Sequence, residues 1–330
     1  MKRVFVLYTG GTIAMRVEAG SGAVGLGGGP RDLVLEVPEL AKIADIETRS
    51  VFHRDSADLR PEDWVVLAEA IHQAFDDGAD GIVVAHGTDT MAYGASFVSF
   101  LLGPLPGPVV FTGAQRPLSE VRSDARTNLI DATIAATLDV PEVCIAFDSK
   151  VLRAVRTTKL DAWAFDAFAS PTLAPLVRLG LDVAVGGHVR KPSALGPLDR
   201  RFEPKVLFVR VFPGLDPAMI TGALQVGAKG LVLSTYGTGT LPSREGSLLP
   251  AVQEARDRDV PVLVISQCPS GFVDLSRYEA GTKAAQLGAI GGRELSVEAA
   301  IAKMMVALGR FNGAAERRAY LEANVLGEVD

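Results

Sequence analysis

Threonines, glycines and one aspartate follow the apolar runs in the first half of the chain, at points where strands are expected to end. These groups occur in "TGGT" at 9–12, "HGTDT" at 86–90 and "TGAQRP" at 112–117, and a lysine follows a later run in "RTTK" at 156–159. In open parallel sheets, functional groups gather at the carboxyl ends of the strands. Hydroxyls, a carboxylate and a lysine are what a hydrolase without histidine, cysteine or metal needs: a nucleophile, a second hydroxyl that passes a proton, and a Lys–Asp pair.

Each motif also has a simpler interpretation. The glycines of "TGGT" could permit a left-handed turn or cradle a phosphate, although this segment itself fits neither of the nucleotide-binding patterns GxGxxG and GK[ST]. Thr88 or Asp89 could cap a helix that begins near Met91. Lys159 could be a solvated surface charge. Because the four motifs occur together in one chain, we favour a catalytic function over these simpler interpretations of each motif.

Composition restricts the class of protein. The chain has 330 residues, 48% hydrophobic and 22% charged, with a formal net charge of -6, which is typical of a globular protein of about two domains. This charge does not favour nucleic acid or a membrane as partner. The first apolar run, Val4–Tyr8, is too short for a secretory signal, and no stretch reaches the ~20 apolar residues that span a bilayer. We therefore expect a cytoplasmic protein.

Cysteine and histidine usage gives no sign of a metal site or a disulfide framework. Cys144 and Cys268 are far apart in the sequence, and each is interpreted as lying inside an apolar, strand-like run, so we expect two buried thiols. The four histidines are dispersed, without the paired spacing typical of zinc ligands. We predict no metal and no cofactor.

The elements that position these groups follow from the alternation of short β-branched runs with longer amphipathic segments, which predicts an α/β fold with a parallel sheet. Residues 1–185 form the predicted catalytic domain, the Gly-, Pro- and charge-rich residues 186–205 a linker, and residues 206–330 a smaller parallel α/β domain. Pro61 predicts a helix start, and Asp124 is expected to cap another helix.

The motifs "YTGGTIAM", "AHGTDTMAYGASF", "TGAQRPLSEVRSDARTNLIDA" and "RTTK...FDAFASP" together resemble the bacterial-type L-asparaginases, most closely the cytoplasmic type I enzymes, from Arg3 to about Leu321. The resemblance implies a larger N-terminal domain with a mostly parallel, flavodoxin-like sheet. It implies hydrolysis of L-asparagine to L-aspartate and ammonia through a covalent β-acyl enzyme. It also implies a homodimer or a homotetramer built as a dimer of dimers.

The same resemblance assigns roles to individual residues. Thr12 corresponds to the nucleophile, and Thr88, Asp89 and Lys159 to a second triad that moves protons and activates water. The implied substrate-binding residues are Gly11, Asp55, Ser56, Gly87, Thr88, Asp89, Ala114 and, from a neighbouring subunit, Glu279. Thr158 and Cys268 lie where some type I relatives bind asparagine as a regulator.

Two departures from the family pattern leave questions open. The loop at residues 16–32 has no tyrosine, whereas many relatives place one there beside the nucleophile, so the proton acceptor for Thr12 stays open. Its glycines at 20–29 are expected to form a lid over substrate. Thr238 and Thr240 stand where relatives often have asparagine, which leaves the choice between asparagine and glutamine open.

Two alternative functions remain at this point. The ammonia-producing subunit of a tRNA-dependent amidotransferase shares these motifs but usually carries an extra N-terminal domain, for which a first motif at Thr9 leaves no room. A non-enzymatic nucleotide- or phosphosugar-binding protein could use the same glycine loops.

Overall fold

The computed structural model describes residues 1–11, 16–17, 24–25 and 34–330. The chain divides into two compact units, Met1–Asp199 and Arg200–Asp330. Every residue from 186 to 205 is described, and none of them lies in a helix or strand. The function of this segment as a linker stays a prediction.

The strands of the first unit, over the residues that the structure describes, number twelve. They are β1 (Arg3–Tyr8), β2 (Arg16–Val17), β3 (Val24–Gly25), β4 (Asp45–Ser50), β5 (Gly81–Ala85), β6 (Val109–Thr112), β7 (Val143–Phe147), β8 (Lys150–Arg153), β9 (Thr158–Lys159), β10 (Phe168–Ala169), β11 (Val177–Leu179) and β12 (Val183–Val185). Eight of these form one sheet in the order β12-β11-β8-β7-β6-β5-β1-β4, and β2 pairs with β3 and β9 with β10.

The large sheet is parallel from β4 through β1, β5 and β6 to β7, and antiparallel from β7 through β8 and β11 to β12. The parallel strands follow the flavodoxin-like order, in which the second strand lies outside the first. All residues of β5 and β6 are buried, as expected for strands covered on both faces. The strand order reverses between β1 and β5, and a crevice at the carboxyl ends of these two strands is therefore expected to bind ligand.

Helices α1 (Leu40–Ile43), α2 (Pro61–Asp76), α3 (Met91–Leu102) and α4 (Ala125–Ala135) belong to this unit. Helix α2 begins at Pro61 as predicted, because proline at the first helical position needs no N–H partner. Asp63 accepts a hydrogen bond from the Arg60 backbone N–H at 3.0 Å. The buried residues Trp64, Leu67 and Ile71 recur at helical spacing, which directs one face of α2 into the core.

The second unit contains an entirely parallel sheet. Its strands, in spatial order, are β13 (Val206–Arg210), β14 (Gly230–Thr235), β15 (Val262–Ser266) and β16 (Ile290–Gly291). Its helices are α5 (Pro217–Gln225), α6 (Leu249–Asp257), α7 (Glu279–Gln286), α8 (Val297–Arg310) and α9 (Ala314–Glu322). The prediction of two α/β domains, the second smaller and parallel, is confirmed.

A buried ion pair attaches the C-terminal tail to α8. The Lys303 and Glu328 side chains are both 0% exposed, and Lys303 Nζ lies 2.6 Å from Glu328 Oε1. Lys303 also donates to the carbonyl oxygens of Leu321 at 3.1 Å and Ala323 at 2.5 Å. All three ammonium hydrogens therefore have acceptors within the protein.

Burial and pairing act in opposite directions on these two groups. Burial lowers the pKa of Lys303, and the attraction of Glu328 offsets only part of this effect. Burial opposes ionisation of Glu328, but the Lys303 ammonium and the backbone N–H groups of Leu326 and Val325 outweigh it, so the pKa of Glu328 lies below its ordinary value.

Two sequence-based expectations were wrong. Cys144 is buried, but Cys268 is exposed, because β15 ends at Ser266 and the chain turns there, with the Cys268 N–H donating to Ser266 Oγ at 3.0 Å. Asp124 occupies the position before α4 but makes no side-chain cap. Ser123 Oγ instead accepts from the Ala125 N–H at 3.0 Å.

Over the described ranges, no helix combines the length and the apolar character that crossing a membrane requires.

Candidate functional site

Two glycine turns pack backbone against backbone where β1 and β5 end. A Cβ atom on Gly11 would lie 2.5 Å from both Cα and N of Gly87, so only glycine fits at this approach. Gly10 and Gly11 also have φ angles of +109° and +90°, which side-chain-bearing residues rarely adopt. A Cβ on Gly87 would lie 2.5 Å from Ser56 Oγ. Three segments, after β1, β4 and β5, therefore meet at one place.

Ser56 is buried and lies on a short 3-10 turn, Ser56–Asp58, whose position is fixed from both sides. Asp55 Oδ1 accepts from the Ala57 N–H at 2.9 Å, which caps the turn. Thr90 Oγ1 donates to the Ser56 carbonyl oxygen at 2.8 Å, which ties the turn to the loop after β5. Asp55 therefore supports the position of Ser56.

Thr88, Asp89 and Lys159 form a connected cluster, although 70 residues separate Asp89 from Lys159 in sequence. Lys159 Nζ donates to Thr88 Oγ1 at 2.9 Å and to Asp89 Oδ1 at 2.8 Å. The exposed fraction is 20% for the Lys159 side chain and 65% for that of Asp89, whereas Thr88 is buried. The cluster is thus open to solvent on its carboxylate side.

The simpler interpretations of these residues do not describe this arrangement. Thr90, not Thr88 or Asp89, precedes the first residue of α3, and no side chain caps that helix. Lys159 is not a freely solvated charge, since it lies on β9 and bonds two side chains from the loop after β5.

Gln115 extends the cluster, although the sequence motifs did not predict a role for its side chain. Its Nε2 donates to the Ala164 carbonyl oxygen at 3.1 Å, which turns Oε1 toward Thr88. Thr88 Oγ1 donates to this Oε1 at 3.2 Å. Because Lys159 can only donate, the Thr88 hydrogen points to Gln115, and one lone pair of the hydroxyl oxygen has no partner among the described residues. In the sequence, only the position of Gln115 next to Ala114 could have indicated that its side chain belongs to the site.

Asp124 holds the loop that carries Ala114 and Gln115. Its carboxylate accepts from the Gln115 N–H at 3.0 Å and the Arg116 N–H at 3.0 Å, and from Asn128 Nδ2 at 3.0 Å. Asn128 Nδ2 also donates to the Gly113 carbonyl oxygen at 3.0 Å. Asp124 therefore fixes the loop after β6 rather than capping α4.

His86 lies directly before Gly87 and is fully buried. Its Nδ1 is 2.7 Å from the Gly87 carbonyl oxygen, and since a carbonyl only accepts, Nδ1 carries the hydrogen. Within the described residues, Nε2 has no hydrogen-bond partner. Burial lowers the pKa of His86 to about 4, so the imidazole is neutral at neutral pH.

Several predicted residues lie elsewhere or outside the described residues. Thr12 lies outside them, as does the 20–29 segment apart from residues 24–25, so the nucleophile and the lid stay predictions. Thr158 is half-buried on β9 next to Lys159. In the second unit, Cys268 follows β15, and Glu279 opens α7 and pairs with Lys283 at 2.6 Å.

The chain matches two family descriptions: "Asparaginase, N-terminal" over residues 3–190 and "Glutaminase/Asparaginase C-terminal domain" over residues 205–321. It is 37% identical over 336 residues to L-asparaginase 1 of Escherichia coli (strain K12), covering 99% of this chain and 98% of that relative. It is 35% identical over 337 residues to a glutamyl-tRNA(Gln) amidotransferase subunit of Methanothermobacter thermautotrophicus, covering 99% of this chain and 77% of that relative.

Among solved structures, the thermostable L-asparaginase from Thermococcus kodakarensis is similar, with a TM-score of 0.91 and 36% identity, covering 99% of each chain.

Proposed function

The chain belongs to the asparaginase family of amidohydrolases, and from that premise we propose that it hydrolyses L-asparagine to L-aspartate and ammonia. The observation that carries the proposal is the Lys159–Thr88–Asp89 cluster at the edge where β1 and β5 end. A hydroxyl bonded to an ammonium and placed beside a solvent-open carboxylate suits proton transfer at an amide.

In the proposed reaction, Thr12 Oγ attacks the side-chain carbonyl carbon of asparagine. The amide C–N bond breaks, the nitrogen leaves as ammonia with the proton from Thr12, and a β-acyl threonine remains. Water then attacks the acyl carbon, and the bond from this carbon to Thr12 Oγ breaks, which releases aspartate. Thr88 and Lys159 pass a proton from the water to Thr12 Oγ, which restores the hydroxyl. Backbone N–H groups near Thr88 and Ala114 stabilise the developing oxyanion.

The same residues suit a zwitterionic substrate. Asp89 presents a largely exposed carboxylate to the substrate ammonium, and Ser56 supplies a hydroxyl donor for the α-carboxylate. Gly11 and Gly87, which carry no side chains, let the turns after β1 and β5 and the Ser56 side chain come together around the proposed substrate position. Lys159 balances the charge of Asp89 without covering it.

The test measures ammonia release from asparagine and from glutamine by the wild type, Thr12→Ala and Thr88→Ala. We expect release from asparagine by the wild type, and a loss of about 10³-fold or more in both variants. Thr221→Ala is the matched control, because Thr221 is a partly exposed threonine on α5 in the second unit. Release from neither amide would overturn the hydrolase proposal, and a fully active Thr12→Ala would overturn the assignment of the nucleophile.

A second candidate, the amide-hydrolysing subunit of a tRNA-dependent amidotransferase, is favoured by the 35% identity to such a subunit. It predicts release from glutamine rather than asparagine, with stimulation by a partner protein and tRNA. Efficient release from asparagine by the chain alone excludes it. Thermal stabilisation by nucleotides without any ammonia release would instead favour the non-enzymatic binder.

We further propose that the chain acts in the cytoplasm as a homodimer or homotetramer, with Glu279 of one copy near the site of another. Light scattering coupled to size-exclusion chromatography measures the assembly, and fractionation of the source cells tests the location. A hyperbolic saturation curve for asparagine would remove the case for regulation through Thr158 and Cys268.

A further inference from the structure

A cleft of about 280 Å³ lies within the second unit and shares no residue with the proposed catalytic set. It is bordered by α6, the start of β15, the end of α7 and the start of α9. Its wall includes the apolar side chains of Val252, Val260, Val262, Leu287 and Ile290. The wall therefore favours the apolar part of a small molecule.

Arginines dominate the charged groups of this cleft. Arg256, Arg317 and Arg318 line it, against one acidic residue, Asp259. Arg318 pairs with Glu322 at 2.8 Å, and Arg317 pairs with Asp259 through Nη2.

Two of these guanidinium groups have hydrogen-bond donors without a strong acceptor in the described part of the chain. Arg256 has no carboxylate within 4 Å in the described part of the chain, and its hydrogen bond to the Gln286 carbonyl oxygen is long, at 3.4 Å. Arg317 Nε is buried and has no acceptor among the residues that the structure describes. A buried donor without an acceptor is costly, and a bound anion compensates positive charge of this kind.

The start of α9 adds to the positive potential. Ala314 and Ala315, its first two residues, line the cleft. The first hydrogen bond of the helix runs from the Arg317 N–H to the Gly313 carbonyl oxygen at 3.0 Å, so the N–H groups of Ala314 and Ala315 have no partner within the helix. Glu316, in the first turn of α9, accepts from the Gly313 N–H at 3.4 Å, so among the described residues the N–H groups of Ala314 and Ala315 stay available to an anion.

We propose that this cleft binds a small organic anion that joins one carboxylate to an apolar body. The carboxylate lies near Arg256 and the start of α9, and the body packs on the valine and leucine wall. An amino acid fits poorly, because its ammonium needs an acceptor and Asp259, the acidic residue of the cleft, is occupied by Arg317. A cleft of about 280 Å³ lies at the lower end of ligand pockets and suits a body of about ten non-hydrogen atoms.

The test titrates benzoate into the full-length chain by isothermal titration calorimetry at low ionic strength, with benzamide as the uncharged isostere. We expect saturable 1:1 binding of benzoate and none of benzamide. Arg256→Gln should weaken benzoate binding about tenfold, as expected for one charge-assisted hydrogen bond. Arg258→Gln should bind like the wild type, because Arg258 pairs with Glu254 and does not line the cleft.

A second pair of variants locates the site. Ala315→Glu places a competing carboxylate at a helix start, where it also suits the helix dipole, and should abolish benzoate binding. Ala315→Gln should retain it. The proposal is overturned if the wild type shows no saturable benzoate binding, if benzamide binds equally well, or if Arg256→Gln and Ala315→Glu both bind like the wild type. Binding is the readout, so the result is independent of amidohydrolase activity.

Discussion

Two of the lysine–carboxylate clusters in the described part of the chain have the same chemistry and opposite surroundings. Lys303 and Glu328 are completely enclosed, and every hydrogen of the ammonium has a protein acceptor. Lys159 and Asp89 lie at a sheet edge, where Asp89 is 65% exposed. Of the three hydrogens of Lys159, two have acceptors among the described residues.

This difference separates an ion pair that is fully satisfied within the protein from one that is available to a ligand. A satisfied, buried pair holds two segments together and offers nothing to a ligand. A pair with an unused donor and an exposed carboxylate can bind a zwitterion and exchange protons with it. Unused hydrogen-bonding capacity, rather than the presence of a lysine and a carboxylate, therefore marks the candidate site.

The largest expected effect is on catalysis at the open cluster. Lys159→Met should lower kcat/KM for asparagine about 10³-fold, because Thr88 and Asp89 lose the ammonium that orders them. The free energy of unfolding should change by less than about 1 kcal/mol, as for other solvent-exposed pairs. Steady-state kinetics and urea denaturation measure the two quantities.

Lys150→Met is the matched control, since Lys150 has similar exposure and pairs with Asp148 and Asp166 instead. Equal activity losses in the two variants would remove the distinction drawn for Lys159.

At the closed cluster the expected effect is on stability. Lys303→Met leaves the Glu328 carboxylate buried without its partner and should lower the free energy of unfolding by about 3 to 5 kcal/mol. The activity of the folded protein should stay unchanged. Urea denaturation, with ammonia release assayed well below the melting temperature, checks both expectations.

The double variant Lys303→Met/Glu328→Leu sharpens the result. It removes both charges and should recover part of the lost stability. A double variant that is as unstable as Lys303→Met would show that packing, and not charge, accounts for the loss.

His86 tests how burial alone, without a counter-ion, changes the pH dependence of stability. An unfolded chain takes up a proton near pH 6.5, whereas the folded imidazole, with a pKa of about 4, does not, so stability falls as pH falls through this window. The part due to His86 should be about 2 kcal/mol between pH 7.5 and 5. His86→Gln should remove this part of the pH dependence in urea denaturation, and an unchanged pH dependence would contradict the buried neutral state.

Gln115 gives the smallest expected effect. Gln115→Met removes the acceptor for the Thr88 hydroxyl and should lower kcat about tenfold, with little change in KM, because Gln115 acts through Thr88. Gln253→Met is the control, since Gln253 bonds Asp257 on the exposed face of α6. A rise in KM with unchanged kcat would instead assign Gln115 to substrate binding.

Local patterns were sufficient to predict most of the α/β framework. Helix α2 begins at the predicted Pro61, because proline at the first helical position is a start signal that is visible in the sequence. The antiparallel strands β8, β11 and β12 were not predicted. They are short, β12 is fully exposed, and β11 joins the sheet by pairing with β8, which is distant in sequence.

The residues of the candidate site that have a hydroxyl, carboxylate or ammonium group could be predicted from the sequence. Thr88, Asp89 and Lys159 were found from residue type and position, and the structure brings them together. Asp124 was predicted to cap a helix because it directly precedes one in the sequence. The sequence does not show that its carboxylate instead accepts hydrogen bonds from the backbone of the loop after β6. Gln115 was missed because the role of a neutral amide depends on its hydrogen-bond partners. These partners, Thr88 and Ala164, are distant in sequence and are seen only in the structure.

The contact between Gly11 and Gly87 couples enzyme activity to the folding pathway. The two glycines are far apart in sequence, and their close approach requires the correct register of β1 beside β5. Contacts between distant segments form late, because the chain must first close the intervening loop. During refolding, recovery of ammonia release therefore reports completion of the central sheet and should lag behind recovery of helical circular dichroism.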